Sequence, residues 1–180
     1  MSITTQYPII EELESNNSRL FKEDVIKREA EQDNIDFFEG CKLALDPMVS
    51  FGVKQVPERS DIDGQGLSWG KFCDLTDQLQ KRELTGHAAR DAILEAMLQS
   101  HDAEWNKWYR RILIKDLRCG VSEKTINNVV KKVNKDYTIP VFKCMLAHDS
   151  ANHEKKLVGE KLLDYKLDGV RVLAIYDAEA

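Results

Sequence analysis

The chain has 180 residues, 42% hydrophobic and 32% charged, an ordinary composition for a soluble globular protein of one or two domains. No uninterrupted apolar run approaches the roughly 18 residues of a transmembrane helix, which excludes a membrane-spanning protein. The N-terminal stretch lacks the basic residues that open a signal peptide, so we expect a cytoplasmic protein. Four cysteines without a C-x-x-C pair predict reduced thiols and no metal site within the chain.

Charge is distributed unevenly along the chain, although the formal net charge is only −5. Residues 1–106 carry 11 basic and 21 acidic side chains, whereas residues 107–135 carry nine basic and two acidic ones, a net charge of +7. Residues 136–180 are again slightly acidic. A cationic segment on an acidic body predicts a surface for a polyanion such as nucleic acid. The alternative is a set of solvated helix faces that bind nothing.

Apolar residues at helical spacing predict helices over the first part of the chain. One helix follows Asn17 and Ser18, and a second is stopped by Pro47. Residues 46–68 are rich in glycine and proline and predict a loop. The residues expected to point inward are Leu20, Phe21, Val25 and Ile26 in the first helix, and Ile35, Phe38 and Leu45 in the second.

Four further helices are predicted before residue 136. Ser68 is the expected N-cap of the first, Thr85 and Asp102 open the next two, and Ser122 begins the last. Gly120 fits the position that follows a helix C-terminus. The expected core residues are Trp69, Phe72, Leu75, Leu79, Ala88, Ile93, Met97 and Leu98, together with Trp105, Trp108 and Tyr109, for which base stacking is the alternative.

The composition changes at residues 136–140, DYTIP, which predict an extended linker. Residues 162–166 and 170–176 then alternate as two strands, joined by a tight turn in which Gly169 adopts positive φ. We therefore predict a multi-domain chain: an all-α domain in residues 1–135, and in residues 136–180 the linker and first strands of an α+β domain. Two strands bury too little surface to fold alone, so the second domain is expected to be incomplete.

Lys166, Asp168, Gly169 and Arg171 form a K-x-D-G-x-R cluster at the predicted hairpin. A lysine held at a strand end is positioned as a nucleophile must be. With a reference pKa near 10.4, roughly one lysine in a thousand is neutral around pH 7.4, a penalty of about 4 kcal/mol. A nearby cation or desolvation would have to lower that pKa. The alternative is a solvated Asp-Gly turn.

The segment DYKLDGVR resembles motif I of the covalent nucleotidyltransferases, the superfamily of ATP-dependent DNA ligases, RNA ligases and capping enzymes. The segments KRELTGHAA, RRILIKDLRCGVSEKTIN and IPVFKCMLA are similar, in that order and spacing, to the N-terminal domain and interdomain entry of ATP-dependent DNA ligases, in particular those of tailed phages. The resemblance covers roughly residues 8–176.

This resemblance implies a reaction and its residues. Lys166 would attack the α-phosphorus of ATP and carry AMP, which then passes to the 5′-phosphate of a nick in double-stranded DNA before the 3′-hydroxyl seals the strand. Arg171 would lie near the AMP ribose and the nick phosphate, and Asp168 on the nick side. Asp164 occupies the position of an adenine-reading glutamate, and residues 145–147 match the entry segment beside the nucleotide.

The resemblance also implies that the helical domain holds duplex DNA, mainly by phosphate contacts. Gly120 precedes a predicted helix start, where free backbone N–H groups bind phosphate. The residues expected to face phosphate are Arg118, Gly120 and Lys124, and after them Arg110, Arg111 and Lys131.

The family's Mg²⁺-holding acidic residues, its later lysines and its C-terminal OB-fold have no counterpart in residues 1–180. We therefore expect the N-terminal part of a ligase, monomeric, located in the cytoplasm (of the host, if phage-encoded) and unable to seal nicks alone. Two alternatives stay open: a non-catalytic helical DNA-binding module with a vestigial tail, and an RNA-sealing nucleotidyltransferase.

Overall fold

The computed structural model describes residues 5–60, 64–142, 155, 158–160 and 162, and the chain divides into two compact units, Met1–Lys143 and Cys144–Ala180. The described residues of the first unit contain helices and no strand, as predicted for an all-α domain. None of the described helices has the length and apolar character needed to cross a membrane. The helices are α1 (Tyr7–Ser15), α2 (Arg19–Glu31), α3 (Ile35–Leu45), α4 (Trp69–Gln80), α5 (Gly86–Gln99), α6 (Asp102–Glu104), α7 (Arg110–Leu113) and α8 (Glu123–Val133), with a π-helical segment (Trp105–Tyr109) between α6 and α7 and a 3₁₀ turn (Lys135–Tyr137) after α8.

In the second unit, only residues 155, 158–160 and 162 are described. The two predicted strands and the K-x-D-G-x-R cluster lie outside the described residues. The α+β part of the fold therefore stays a prediction.

The π-helical segment supplies the largest fully buried side chains of the first unit, Trp105, Trp108 and Tyr109, which confirms their predicted place in the core. The indole N–H of Trp105 donates to the carbonyl of Pro57, and the hydroxyl of Tyr109 donates to the carbonyl of Leu67, each at 2.9 Å. These two bonds anchor the described parts of the long loop between α3 and α4. Around the segment, α1 packs on it, α3 packs on α7, and α2 packs on α8.

The predicted helix starts are confirmed. The hydroxyls of Ser68 and Ser122 accept hydrogen bonds from backbone N–H groups in the first turns of α4 and α8, each at 3.4 Å. Thr85 occupies the N-cap position of α5, although its side chain forms no capping bond.

Four residues predicted in the core are exposed instead: Leu20 (72%), Ile35 (54%), Leu98 (49%) and Ala88. Each lies in the first or last turn of its helix. The periodicity alone does not distinguish the middle of a helix from its ends, where fewer residues of the same helix surround a side chain.

The predicted helix end at Gly120 is wrong, because α7 already ends at Leu113. The N–H of Asp116 bonds the carbonyl of Arg111 and the N–H of Lys115 bonds the carbonyl of Ile112, each at 3.0 Å. This pair of bonds is a Schellman motif, and Lys115 holds its left-handed position with φ of 62°. A lysine therefore takes the left-handed position after α7, where a glycine is the usual residue.

Lys115 adopts this conformation while its side chain reaches the C-terminal end of α3. Its ammonium donates to the carbonyls of Leu43 and Asp46, each at 2.7 Å, and lies 5.7 Å from the ring centroid of Phe51. Burial lowers the pKa of Lys115 below its ordinary value. Lys115 therefore joins two helix ends that are far apart in sequence.

The packed helical unit extends past residue 135. The side chain of Asn127 pairs with both backbone polar groups of Ile139, accepting from its N–H at 2.8 Å and donating to its carbonyl at 2.9 Å. Ile139 is buried, and the ring of Tyr137 stacks on Phe38 with centroids 4.3 Å apart. Side chains of α8 and α3 thus hold the segment that leaves the helices.

Candidate nucleic-acid interface

The basic segment of the sequence folds into α7, a turn over residues 114–122, and α8. We call residues 116–122 the basic turn. Arg118 and Gly120 both have left-handed backbone conformations, with φ of 52° and 66°. The carboxylate of Asp116 accepts a hydrogen bond of 3.0 Å from the N–H of Arg118, and Ser122 caps α8. Side chains therefore fix the backbone on both sides of Gly120.

Lys22 of α2 contacts the buried side of the basic turn. Only 6% of this lysine is exposed, and its ammonium donates to the carbonyl of Cys119 at 2.7 Å. A Cβ at Gly120 would lie 2.5 Å from the same nitrogen. Lys22 was not predicted from the sequence, although it shares a helix face with the buried Val25 and Ile26.

The predicted residues Arg118, Gly120 and Lys124 meet at this turn. The side chain of Arg118 is 51% exposed and Lys124 is exposed in the first turn of α8. The N-terminus of α8 adds a partial positive charge from its backbone N–H groups. Two exposed cations thus lie on either side of Gly120 in the chain, Arg118 before it and Lys124 in the first turn of α8.

The other predicted cations are placed differently. Arg111 is only 12% exposed, with its guanidinium bonded to Glu14 and, at 2.9 Å, to the carbonyl of Leu117. Arg110 is 15% exposed and donates to the carbonyl of Val56 at 3.0 Å. Lys131 is exposed on α8, seven residues after Lys124 and about 10 Å along the axis. The DNA contacts of all three stay predictions.

A groove of about 770 Å³ adjoins the basic turn, and we call it the basic groove. Arg110 and Arg118 line it together with Lys54, from the loop before α4, and Arg90, from α5. Lys54 and Arg90 were not predicted from the sequence, because both lie within the acidic residues 1–106. Among the described residues that line it, Asp116 is the only acidic one, and the apolar ones include Val56, Ile93, Leu94 and Ile114.

Two other grooves of the first unit differ in charge. In the groove between α2 and α8, three cations face three carboxylates: Arg19, Lys27 and Lys132 against Glu23, Asp24 and Glu31. In the groove beside Tyr137, one cation faces three carboxylates: Lys42 against Asp33, Glu39 and Asp136. The basic groove is therefore a local feature that the net charge does not reveal.

The cysteines of the described part are free thiols whose pKa values are raised by burial. Cys41 and Cys119 are buried, and burial raises the pKa of both. Burial also raises the pKa of Cys73 to about 12. Within residues 5–60 and 64–142, no group of three or more histidine, cysteine, aspartate or glutamate side chains could hold a metal ion.

The residues predicted to handle ATP and the nick lie outside the described residues. They are Asp164, Lys166, Asp168, Gly169 and Arg171, with residues 145–147 of the predicted entry segment. Their roles stay predictions from the sequence.

Comparison with known proteins gives the class of this fold. Two solved structures, named Pmar-Lig_PreS3 and Pmar-Lig_Pre., are each 57% identical to this chain over 85% of it and 35% of their own length, with TM-scores of 0.77 and 0.76. DNA ligase 4 of Arabidopsis thaliana is 35% identical over 68 residues, which are 38% of this chain and 5% of that protein. No family model matches the chain.

These similarities confirm the resemblance to the N-terminal region of DNA ligases that the sequence predicted. The chain spans 35% of the length of the two solved structures and 5% of the length of the plant ligase.

Proposed function

We propose that this chain is the DNA-holding helical domain and the nucleophile-bearing start of the adenylylation domain of an ATP-dependent DNA ligase. Its substrate is nicked double-stranded DNA, which it binds as a monomer in the cytoplasm. The observation that carries the proposal is the basic turn, where Arg118, Gly120 and Lys124 meet the N-terminus of α8 in a chain similar to DNA ligases.

The turn suits a phosphate for three physical reasons. Gly120 has no side chain, so a ligand can approach its backbone closely. The N-terminus of α8 attracts anions through its dipole and its N–H groups. The exposed guanidinium of Arg118 can form two parallel charge-assisted hydrogen bonds with phosphate oxygens. Such contacts read no base sequence, as an enzyme that seals nicks anywhere requires.

Lys166 is proposed as the nucleophile. Its neutral amine attacks the α-phosphorus of ATP, so that an Nζ–P bond forms, the bond to the β-phosphate oxygen breaks, pyrophosphate leaves, and the nitrogen releases one proton to solvent. The 5′-phosphate of the nick then takes AMP from Lys166, and the 3′-hydroxyl displaces AMP to form the phosphodiester. Arg171 and Asp168 are proposed to position the nick phosphate and Asp164 to face the adenine. A bound Mg²⁺ would screen the phosphate charges.

DNA binding can be tested by charge reversal at the turn. Arg118→Glu combined with Lys124→Glu should weaken binding of a nicked duplex and reduce the slope of log K against log salt by about two, because roughly one counterion is released per phosphate contact. Fluorescence anisotropy between 0.05 and 0.2 M salt measures both. The matched control, Lys42→Glu with Lys71→Glu, changes the charge equally on the exposed surfaces of α3 and α4 and should retain more affinity. Equal losses in the two variants would contradict a role for the turn.

The covalent step needs a separate test, in a longer polypeptide that also carries the family's downstream motifs. With labelled ATP and Mg²⁺, Lys166→Ala should abolish both the protein–AMP adduct and nick sealing, whereas Lys161→Ala should retain them. Sealing by the Lys166→Ala protein would refute the assignment. A nicked RNA substrate, run in parallel, separates a DNA ligase from an RNA-sealing enzyme.

A further inference from the structure

We propose that the basic groove is a second phosphate-binding site, which holds the sugar–phosphate backbone of the same DNA duplex that the basic turn contacts. This inference rests on the proposed function, because it assumes that the chain binds duplex DNA. It adds two residues outside the basic segment, Lys54 and Arg90, to the binding surface.

The groove collects its positive charge from distant parts of the chain. Lys54 belongs to the loop before α4, Arg90 to α5, and Arg110 to α7, while Arg118 is shared with the basic turn. Among the described lining residues there is one carboxylate, that of Asp116, which accepts from the N–H of Arg118 at 3.0 Å and lies 3.7 Å from its guanidinium. The field in the groove is therefore positive although the surrounding sequence is acidic.

The cations divide into fixed and available groups. Arg110 is held by the carbonyl of Val56 at 3.0 Å and by Glu58 at 3.2 Å, and the carboxylate of Glu58 is itself 66% exposed. In contrast, the side chains of Lys54 and Arg90 form no hydrogen bond or ion pair within residues 5–60 and 64–142. Their donors are thus free for a ligand, while Arg110 contributes a fixed charge.

The apolar part of the lining indicates what kind of phosphate fits. Val56, Ile93, Leu94 and Ile114 face the groove between the cations, and Leu94 is 40% exposed. The backbone of DNA alternates charged phosphates with deoxyribose, whose carbon atoms can pack on apolar side chains. Val56 and Ile93 are buried beneath the groove, so a single phosphate ion would use the cations but leave the exposed Leu94 in water. The groove therefore fits a run of backbone better than an isolated anion.

Its continuity with the basic turn indicates that both sites serve one duplex. Arg118 belongs to both, so the two sites adjoin and one strand can contact both. A second set of phosphate contacts raises affinity without reading sequence and restrains the duplex against rotation about the first set.

The first test removes the two available cations from the 180-residue chain. Lys54→Gln with Arg90→Gln should weaken nicked-duplex binding at 0.1 M salt by roughly tenfold or more and lower the salt slope by up to about two. The control variant, Lys42→Gln with Lys71→Gln, loses the same charge elsewhere and should stay within about threefold of wild type. Urea unfolding should show both variants as stable as wild type to within about 0.5 kcal/mol, because all four side chains are exposed.

The second test asks whether the cations touch particular phosphates. Nicked duplexes carrying one neutral methylphosphonate at successive positions are bound to wild type and to the Lys54→Gln/Arg90→Gln variant. Wild type should bind more weakly when the methylphosphonate lies at one of a few adjacent positions of the duplex. The variant should bind those duplexes as tightly as the unmodified duplex. Identical position dependence in the two proteins would overturn the proposal.

The outcomes separate this inference from the proposed function. If wild type binds duplex DNA and the turn variant is weakened while the groove variant equals wild type, the groove proposal alone fails. If wild type does not bind duplex DNA even at 0.05 M salt, the proposed function fails first. Competition by sodium pyrophosphate beyond that of sodium chloride at equal ionic strength, restricted to proteins with Lys54 and Arg90, would reveal a small polyphosphate site and overturn the assignment to DNA backbone.

Discussion

The ammonium of Lys22 donates a hydrogen bond of 2.7 Å to the carbonyl of Cys119, across 97 residues of sequence. This contact lies where α2 packs on α8, and it brings a cation behind the basic turn. A buried carbonyl that lost this donor would remain unsatisfied, which is costly in a protein interior. The turn that carries the proposed phosphate contacts is therefore held by a residue of the acidic N-terminal part.

Lys22→Met should lower the free energy of unfolding by about 1–3 kcal/mol, because the Cys119 carbonyl loses its donor. Urea unfolding followed by circular dichroism measures this loss. Lys27→Met, on the exposed face of the same helix, removes only a surface ion pair with Glu31 and should change stability by less than about 0.5 kcal/mol. Equal stability of the two variants would show that the buried bond contributes nothing.

Substitutions at Arg111 and Arg118 should have different effects, the first on the stability of the fold and the second on DNA binding. Arg111→Gln weakens a half-buried pair with Glu14 and the bond to the Leu117 carbonyl, and should destabilise the fold by about 1.5–3 kcal/mol. Arg118→Gln changes an exposed side chain and should leave stability within about 0.5 kcal/mol while weakening duplex binding. Unfolding curves and anisotropy on the same samples give both quantities, and the reverse pattern would contradict the assignment.

Gly40 and Gly70 form a matched pair of helical glycines with opposite expectations. A Cβ at Gly40 would lie 2.2 Å from Cζ2 of Trp108, so Gly40→Ala should destabilise the fold by about 1–3 kcal/mol through overpacking. No heavy atom lies within 4 Å of a Cβ at Gly70, so Gly70→Ala should stabilise α4 by about 0.5–1 kcal/mol. Thermal unfolding measures the stability of both variants. A Gly40→Ala protein as stable as wild type would show that Trp108 can move to make room for the added methyl group.

Glu104 should make stability depend on pH. The carboxylate is 3% exposed, accepts from the N–H of Gln6 at 3.1 Å, and has one oxygen without a partner among the described residues. Burial raises its pKa above the ordinary value of 4.5. The folded state therefore binds this proton more tightly than the unfolded state, and its stabilising effect is lost as pH rises from about 4.5 through the folded pKa.

Glu104→Gln stays neutral at every pH, so its free energy of unfolding should increase relative to wild type as pH rises above 4.5. Urea unfolding at several pH values between 4 and 8 measures the difference. Glu83→Gln removes an exposed carboxylate and should follow the wild-type pH dependence. Parallel curves for all three proteins would exclude Glu104 as the titrating group.

Local sequence signals predicted most helix starts but failed at one helix end. Ser68 and Ser122 cap the helices they precede, because a cap needs only residues next to it in sequence. The end of α7 was misplaced because Lys115, not a glycine, takes the left-handed position. Asp33 and Arg82 hold the same position after α2 and α4. Contacts such as those of Lys115 with the end of α3 offset the backbone cost, and they exist only in the folded chain.

The candidate interface was likewise predicted only where its residues are neighbours in sequence. Arg118, Gly120 and Lys124 stand within seven residues, so their charge and turn pattern was visible. Lys54 and Arg90 are isolated cations among acidic residues, and nothing in their local sequence places them beside Arg118.

The sequence by itself determined the helical class of the first unit, its buried aromatic residues, the basic turn and the resemblance to DNA ligases, since each depends on periodicity or on short motifs. Only the tertiary structure decided that Lys22 lies behind the turn and that four distant cations share one groove. The physical reason is that apolar side chains determine how the helices pack. The charged side chains that come to lie next to each other are set by that packing and not by their order in the sequence.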